Sequence, residues 1–145
     1  MSTFKVFDIA GSGMAAQSVR INTVASNLAN ANSVSGDPST VYRARHPVFE
    51  AVRGAMTGSA SAARADASAA VRVSGIVEAD TPPAARYEPG NPLADAKGYV
   101  YAPNVNVVEE MVDMISASRS YQNSIEVMNT ARTLLQKTLQ MGQQV

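Results

Sequence analysis

Residues 106–141 read NVVEEMVDMISASRSYQNSIEVMNTARTLLQKTLQM, and the spacing of apolar side chains here decides the fold class. Val107, Met114, Tyr121, Met128 and Leu135 recur every seven residues without a break. A repeat of seven keeps one face of an α-helix turned toward the same partner along its length. Met111, Ile125 and Leu139 follow three of these positions by four residues and are expected to widen the stripe, with Ala117 and Ala131 on one edge. Asn106 with Glu109 three residues on forms a capping-box pattern, which satisfies free N–H groups of the first turn. Glu109, Glu110 and Asp113 crowd the first turns and Arg132 and Lys137 come late, the order that complements a helix dipole. Gly142 suits a stop. At 1.5 Å per residue the helix spans ~52 Å.

A matching helix is expected at the other end of the chain. Phe7, Met14, Ile21 and Leu28 also recur every seven residues. Ala10, Val24 and Ala31 follow by three, with polar Gln17 in the remaining such place. Small residues in this second series favour close helix approach. Asn27, Asn30 and Asn32 close the pattern, and residues 33–39, with Gly36 and Pro38, read as a loop. A helix over 3–30 is ~42 Å long. A compact chain of this size is roughly 38 Å across, so neither helix fits inside a ball.

Between the helices the reading changes. Residues 41–52, 71–79, 85–88 and 99–102 are short and β-like, with Val71, Val73, Gly75 and Val77 alternating with Arg72, Ser74, Ile76 and Glu78. Prolines at 82, 83, 89 and 92 punctuate them. Residues 54–70 hold eight Ala, three Ser and two Gly, and Met56 is their only large apolar residue. Such a stretch buries too little to offset its ordering entropy, so it reads as a mobile insertion, the competing reading being an Ala-rich helix over 59–70. The expected fold is mainly α with a small β module. Residues 1–32 and 106–145 form long terminal helices paired as a coiled-coil-like hairpin. Residues 33–105 form the β-rich middle, placed at one end of a rod.

Composition excludes several classes of function. Twelve Lys+Arg balance twelve Asp+Glu, which gives no basic excess for a nucleic-acid partner. Without cysteine, and with His46 as the only histidine, there is no Cys/His zinc site, disulfide framework or cysteine nucleophile. No run of ~18 apolar residues implies membrane insertion. The N-terminus lacks the apolar core of a signal peptide, which by itself implies a cytoplasmic protein. Of 66 apolar residues, 24 are Ala and 17 are Val, leaving 25 larger ones. That supply is thin for a self-sufficient core and points to a chain that completes its burial against partners.

Residues 4–16, FKVFDIAGSGMAA, imitate the strand, G-x-G-x-x-A turn and helix of a dinucleotide site. The fingerprint also needs an acidic residue some 20 positions on. Here that place holds Ala31, Asn32, Ser33 and Val34. The segment reads as a helix with two glycines near its start, and no cofactor is expected. Glu109, Glu110 and Asp113 read as helix-start electrostatics rather than a metal site.

Ser26-Asn27-Leu28-Ala29-Asn30 resembles the N-terminal signature of flagellar rod, hook and related axial proteins. The resemblance narrows to proximal rod proteins through Tyr42-Arg43-Ala44-Arg45, Pro47-Val48-Phe49-Glu50, the run Tyr87 to Asp95, Gly98-Tyr99-Val100, and Pro103 through Gln122. Residues 54–70 depart from the family pattern. The resemblance implies a structural subunit with no active site. It implies helical assembly with copies of itself and other rod proteins, above an adaptor at the rod base, into a drive shaft crossing the periplasm. It also implies export by the flagellar type III apparatus without a cleaved signal peptide, which overrides the cytoplasmic expectation. Within a subunit, Phe7, Met14, Ile21 and Leu28 are expected to pack on Val107, Met114, Tyr121, Met128 and Leu135. Val108, Val112 and Ile115 would then meet neighbouring subunits. A soluble coiled-coil adaptor or export chaperone is the alternative.

Overall fold

The computed structural model describes residues 3–53 and 69–142. The order is α1 (Thr3–Asn30), β1 (Arg45–Arg53), β2 (Ala69–Glu78), β3 (Ala84–Tyr87), β4 (Tyr99–Ala102) and α2 (Val107–Gly142). The two terminal helices and the small β module between them match the expected architecture. The dinucleotide-like segment is helical from Thr3 onward, so Gly11 and Gly13 sit inside α1 with no strand before them.

α1 and α2 lie side by side and antiparallel. Asn27 reaches Glu110, Arg20 reaches Asp113, and Gly13 faces Ser124. A Cβ on Gly13 would stand 3.3 Å from Ser124 Oγ, which records how closely the backbones approach. The start of α2 is capped as its sequence predicts on the Asn106 side, where Asn106 Oδ1 accepts the Val108 N–H at 3.1 Å. α1 stops at Asn30, whose carbonyl accepts both the backbone N–H and the hydroxyl of Ser33.

The strands form two separate antiparallel pairs, β1 with β2 and β3 with β4. The β1–β2 pairing runs from Arg45 opposite Glu78 to Arg53 opposite Ala69, with an irregularity between Val48 and Phe49. Arg45 pairs with Glu78 and Arg72 with Glu50 across this ladder, at 3.0 and 2.9 Å. Ala69 and Ala70, assigned to the insertion by composition, are the first residues of β2. The remainder of that proposed insertion, residues 54–68, lies outside the described residues.

The β1–β2 hairpin is not at one end of the rod, where the helix lengths alone place the β module; only the β3–β4 pair, bridged to Ser35 beyond the end of α1, lies there. The hairpin runs along the flank of α1, tied to Asn27 through Arg45 and to Ser12 through the Val71 N–H. Fifteen residues of helix separate those anchors, ~22 Å. The strand from Arg45 to Ala51, which pairs with Val71, covers ~20 Å. The equal lengths allow the strand to follow the helix.

The β3–β4 pair is closed by a turn built on Asp95, whose carboxylate accepts the N–H groups of Lys97 and Tyr99, both at 2.8 Å. Gly98 within it has φ +82° and sits under Tyr87, so only glycine suits the place. Chain reversal next to it needs Gly36, where a Cβ would fall 2.5 Å from the Leu93 carbonyl oxygen. The hydrogen bond from the Tyr99 N–H holds the Asp95 carboxyl below its ordinary value. A depressed carboxylate contributes stability above its unfolded pKa and loses it as pH falls through the folded one. Acidification below the usual carboxylate range should therefore loosen this turn, and Asp95→Asn should flatten that pH response. Amide hydrogen exchange at Tyr99 across an acid titration reads both.

Candidate assembly surfaces

A polar lock fixes the helix pair at the end of α1. Asn27 is completely buried and uses its whole hydrogen-bonding capacity. Its Nδ2 donates to the Arg45 carbonyl and to Glu110 Oε1, each at 2.9 Å. Its Oδ1 accepts from Tyr42 Oη at 2.8 Å and from the Arg45 N–H at 3.0 Å. One side chain thus joins α1, the entry to β1 and the first turn of α2. Within the same motif, Asn30 Nδ2 bonds the Ser26 carbonyl, and Tyr42 Oη also reaches Ser26 Oγ. Leu28 is half-buried and Ala29 exposed.

Glu110 is 5% exposed, so it is a buried partner of this lock rather than a helix-start surface charge. Its motif-like neighbours differ: Glu109 is exposed, and Asp113 forms an ion pair with Arg20 at 2.8 Å. Asn104 makes a second tie, accepting the Ala44 N–H and donating to the Thr81 carbonyl, both at 2.8 Å. It fastens the segment before α2 to the β module. Neither Glu110 nor Asn104 stands out by spacing, because their partners are far away in sequence.

Along the helix pair the innermost side chains are small. Ala10, Ala16, Val24, Ala117 and Ala131 are buried, with Thr23 beside them. Phe7, Met14, Ile21, Leu28, Met114, Tyr121, Met128 and Leu135 are half-buried, and Val107 is exposed. The α2 stripe widens toward Ala117, Ser124 and Ala131. It does not widen toward Met111, Ile125 and Leu139, which are all exposed. Close backbone approach is the reason: a helix pair this tight admits alanine and serine at its centre and pushes long side chains to its edges.

Substantial apolar surface remains bare. Val108, Val112 and Ile115 are 69, 60 and 54% exposed on the start of α2. Leu134, Leu139 and Met141 are exposed at its end. Val48, Phe49, Ile76 and Val77 are exposed on the hairpin. A shallow groove of about 430 Å³ lies between Val6 and residues Asn123, Glu126, Val127, Thr130 and Ala131. Its walls carry a single carboxylate, Glu126. Among the described residues no group of acidic or histidine side chains is placed to hold a metal ion. No described helix is long and apolar enough to cross a membrane. Bare apolar strips of this extent mark association surfaces.

Known proteins resemble this chain in sequence. Residues 7–36 match a family model described as flagella basal body rod protein, and residues 96–141 match the flagellar basal body rod FlgEFG protein C-terminal model. The chain is 51% identical over 143 residues to the flagellar basal-body rod protein FlgC of Salmonella typhimurium, covering 99% of this chain and 100% of the relative. FlgC of Escherichia coli O6:H1 is also 51% identical at the same coverage. FlgC of Aquifex aeolicus is 40% identical over 97% of each chain. With its two terminal helices and full-length similarity, the chain belongs to the FlgC family of flagellar basal-body rod proteins.

Proposed function

We propose that this structural rod subunit occupies the proximal rod and transmits torque as part of a helically assembled drive shaft. In this reading it stacks with copies of itself, with other rod proteins and with an adaptor at the rod base. It reaches the periplasm through the flagellar type III apparatus without a cleaved signal peptide. The observation that carries the reading is the antiparallel α1–α2 pair, sealed by a narrow seam that leaves an apolar back face on α2. A shaft needs long stiff elements and many lateral contacts, and it needs no active site.

Phe7, Met14, Ile21 and Leu28 are assigned to the seam with Met114, Tyr121, Met128 and Leu135, and Val107 continues it at the mouth of α2. Val108, Val112 and Ile115 are assigned to neighbouring subunits. Ile21→Asp puts a charge into a half-buried helix face, where an unpaired carboxylate is strongly disfavoured. The variant should abolish rod assembly and swimming. A strain carrying it that swims on normal rods would refute the seam assignment.

A further inference from the structure

The antiparallel helices meet on rungs seven residues apart. Asn27 meets Glu110, Gly13 faces Ser124, and Val6 shares a groove with Ala131. Arg20, level with Ala117, leans to Asp113. On α2 the line reads Glu110, Ala117, Ser124, Ala131, and it continues to Thr138, which is exposed. Thr3 is level with Leu134, while α2 runs on to Gly142. One heptad of α2, ~10 Å, is therefore left over beyond the described part of α1. Every residue that follows Glu110 on this line is small. The seam thus fits α1 one rung further along as well, with Asn27 on Ala117, Arg20 by Ser124, Gly13 on Ala131 and Val6 on Thr138. Glu110 alone breaks the repeat, and it is 5% exposed. The observed register also leaves two buried acceptors in the helix pair without a donor, Glu110 Oε2 and Gln17 Oε1. Such unpaired acceptors are costly, which narrows the gap to a competing register.

We propose that the helix pair has two registers one heptad apart, and that Glu110 selects the observed one. The hydrogen bonds divide the chain to suit such a slide. α1 carries the β1–β2 hairpin through Asn27 with Arg45 and Ser12 with Val71, so the two move together. Asn27 keeps its bonds to Tyr42 and Arg45 in either register. The β3–β4 pair stays with α2, whose first turn follows β4 directly. The ties that must break are Asn27–Glu110, Arg20–Asp113, Ala44–Asn104 and the Ser35–Tyr101 bridge, which cluster around the start of α2. Sliding withdraws α1 from the first turn of α2 and returns the Glu110 carboxylate to water. Interdigitated side chains make the movement a step of one rung rather than a continuous drift. One chain thereby has two lengths.

The chain has no cysteine, so introduced thiols report alone. Val6→Cys with Ala131→Cys in one full-length chain reports the observed register, and Val6→Cys with Thr138→Cys reports the slid one. On mild oxidation of dilute protein the first pair should close readily and the second slowly. Adding Glu110→Ala should close the 6–138 pair roughly tenfold faster, because the slide raises the effective concentration of its thiols, and should slow the 6–131 pair. Glu110→Gln keeps an oxygen for the Asn27 amide and should preserve the parent's pattern. Circular dichroism of each variant follows the helices. A helical Glu110→Ala protein that still closes 6–131 at the parent's rate and gains nothing at 6–138 would overturn the proposal. So would a Glu110→Ala protein that loses its helices, which would make Glu110 a residue of stability rather than of register. The readout is on the isolated chain, so either result leaves the rod reading as it stands.

Discussion

Asn27→Asp should destabilise the protein severely at neutral pH while changing its shape by almost nothing. The replacement keeps an oxygen for the Tyr42 hydroxyl and the Arg45 N–H. It replaces the donor to the Arg45 carbonyl and to Glu110 Oε1 with a second oxygen, 2.9 Å from each. Two donated hydrogen bonds are lost at a completely buried site, and a carboxylate is forced against a buried carboxylate. The cost is on the order of 4 kcal/mol, a large share of a domain's total stability. The pH signature is specific. Acidification lets one of the two carboxyls take a proton and donate it to the other, as in any close carboxylate pair. The variant should therefore regain stability as pH falls from 7 toward 5. Thermal melts at the two pH values test this, and an unchanged midpoint at pH 7 would show that the lock contributes little.

The second large effect is expected at Ala117, which is completely buried where α2 meets α1. Ala117→Leu has no room to enter, so the helices must part or rotate. Overpacking of this kind costs ~1–3 kcal/mol in a core that can relax. Two straight helices in contact along their length relax poorly, because a spread at one point separates the neighbouring turns. Ala131→Leu, nearer the C-terminal end of α2, should be milder. Urea denaturation ranks the two, and rod incorporation in cells should follow the same order. Equal midpoints for Ala117→Leu and the parent would contradict the small-residue seam.

The two helices were legible because a seven-residue period survives without tertiary context. The strands were legible for the same reason: alternation in residues 71–78 and the flanking prolines mark them locally. What sits at the centre of the seam was not. Large apolar residues draw the eye to Met111, Ile125 and Leu139, yet the space between close backbones admits only Ala117, Ser124 and Ala131. The role of Glu110 was hidden because its partner, Asn27, is 83 residues away and the same carboxylate suits a helix start equally well. Asn27 itself lay within a family-like motif, but the motif says nothing of Tyr42 or Arg45 as its partners. The position of the hairpin was missed because it depends on single ties, Ser12 to Val71 and Asn27 to Arg45, which no pattern along the chain announces.

Family membership and the bare faces of α2 lead to one central claim: this chain is built to be finished by its neighbours in the rod. Fractionation tests it most directly. Detergent-extracted hook–basal bodies are purified from cells and probed for this protein against the soluble fraction. The account predicts that the protein co-purifies with the basal body and stays with the rod after the hook is removed. Recovery as a closed, stable oligomer in the cytoplasm, with none in the basal body, would contradict it.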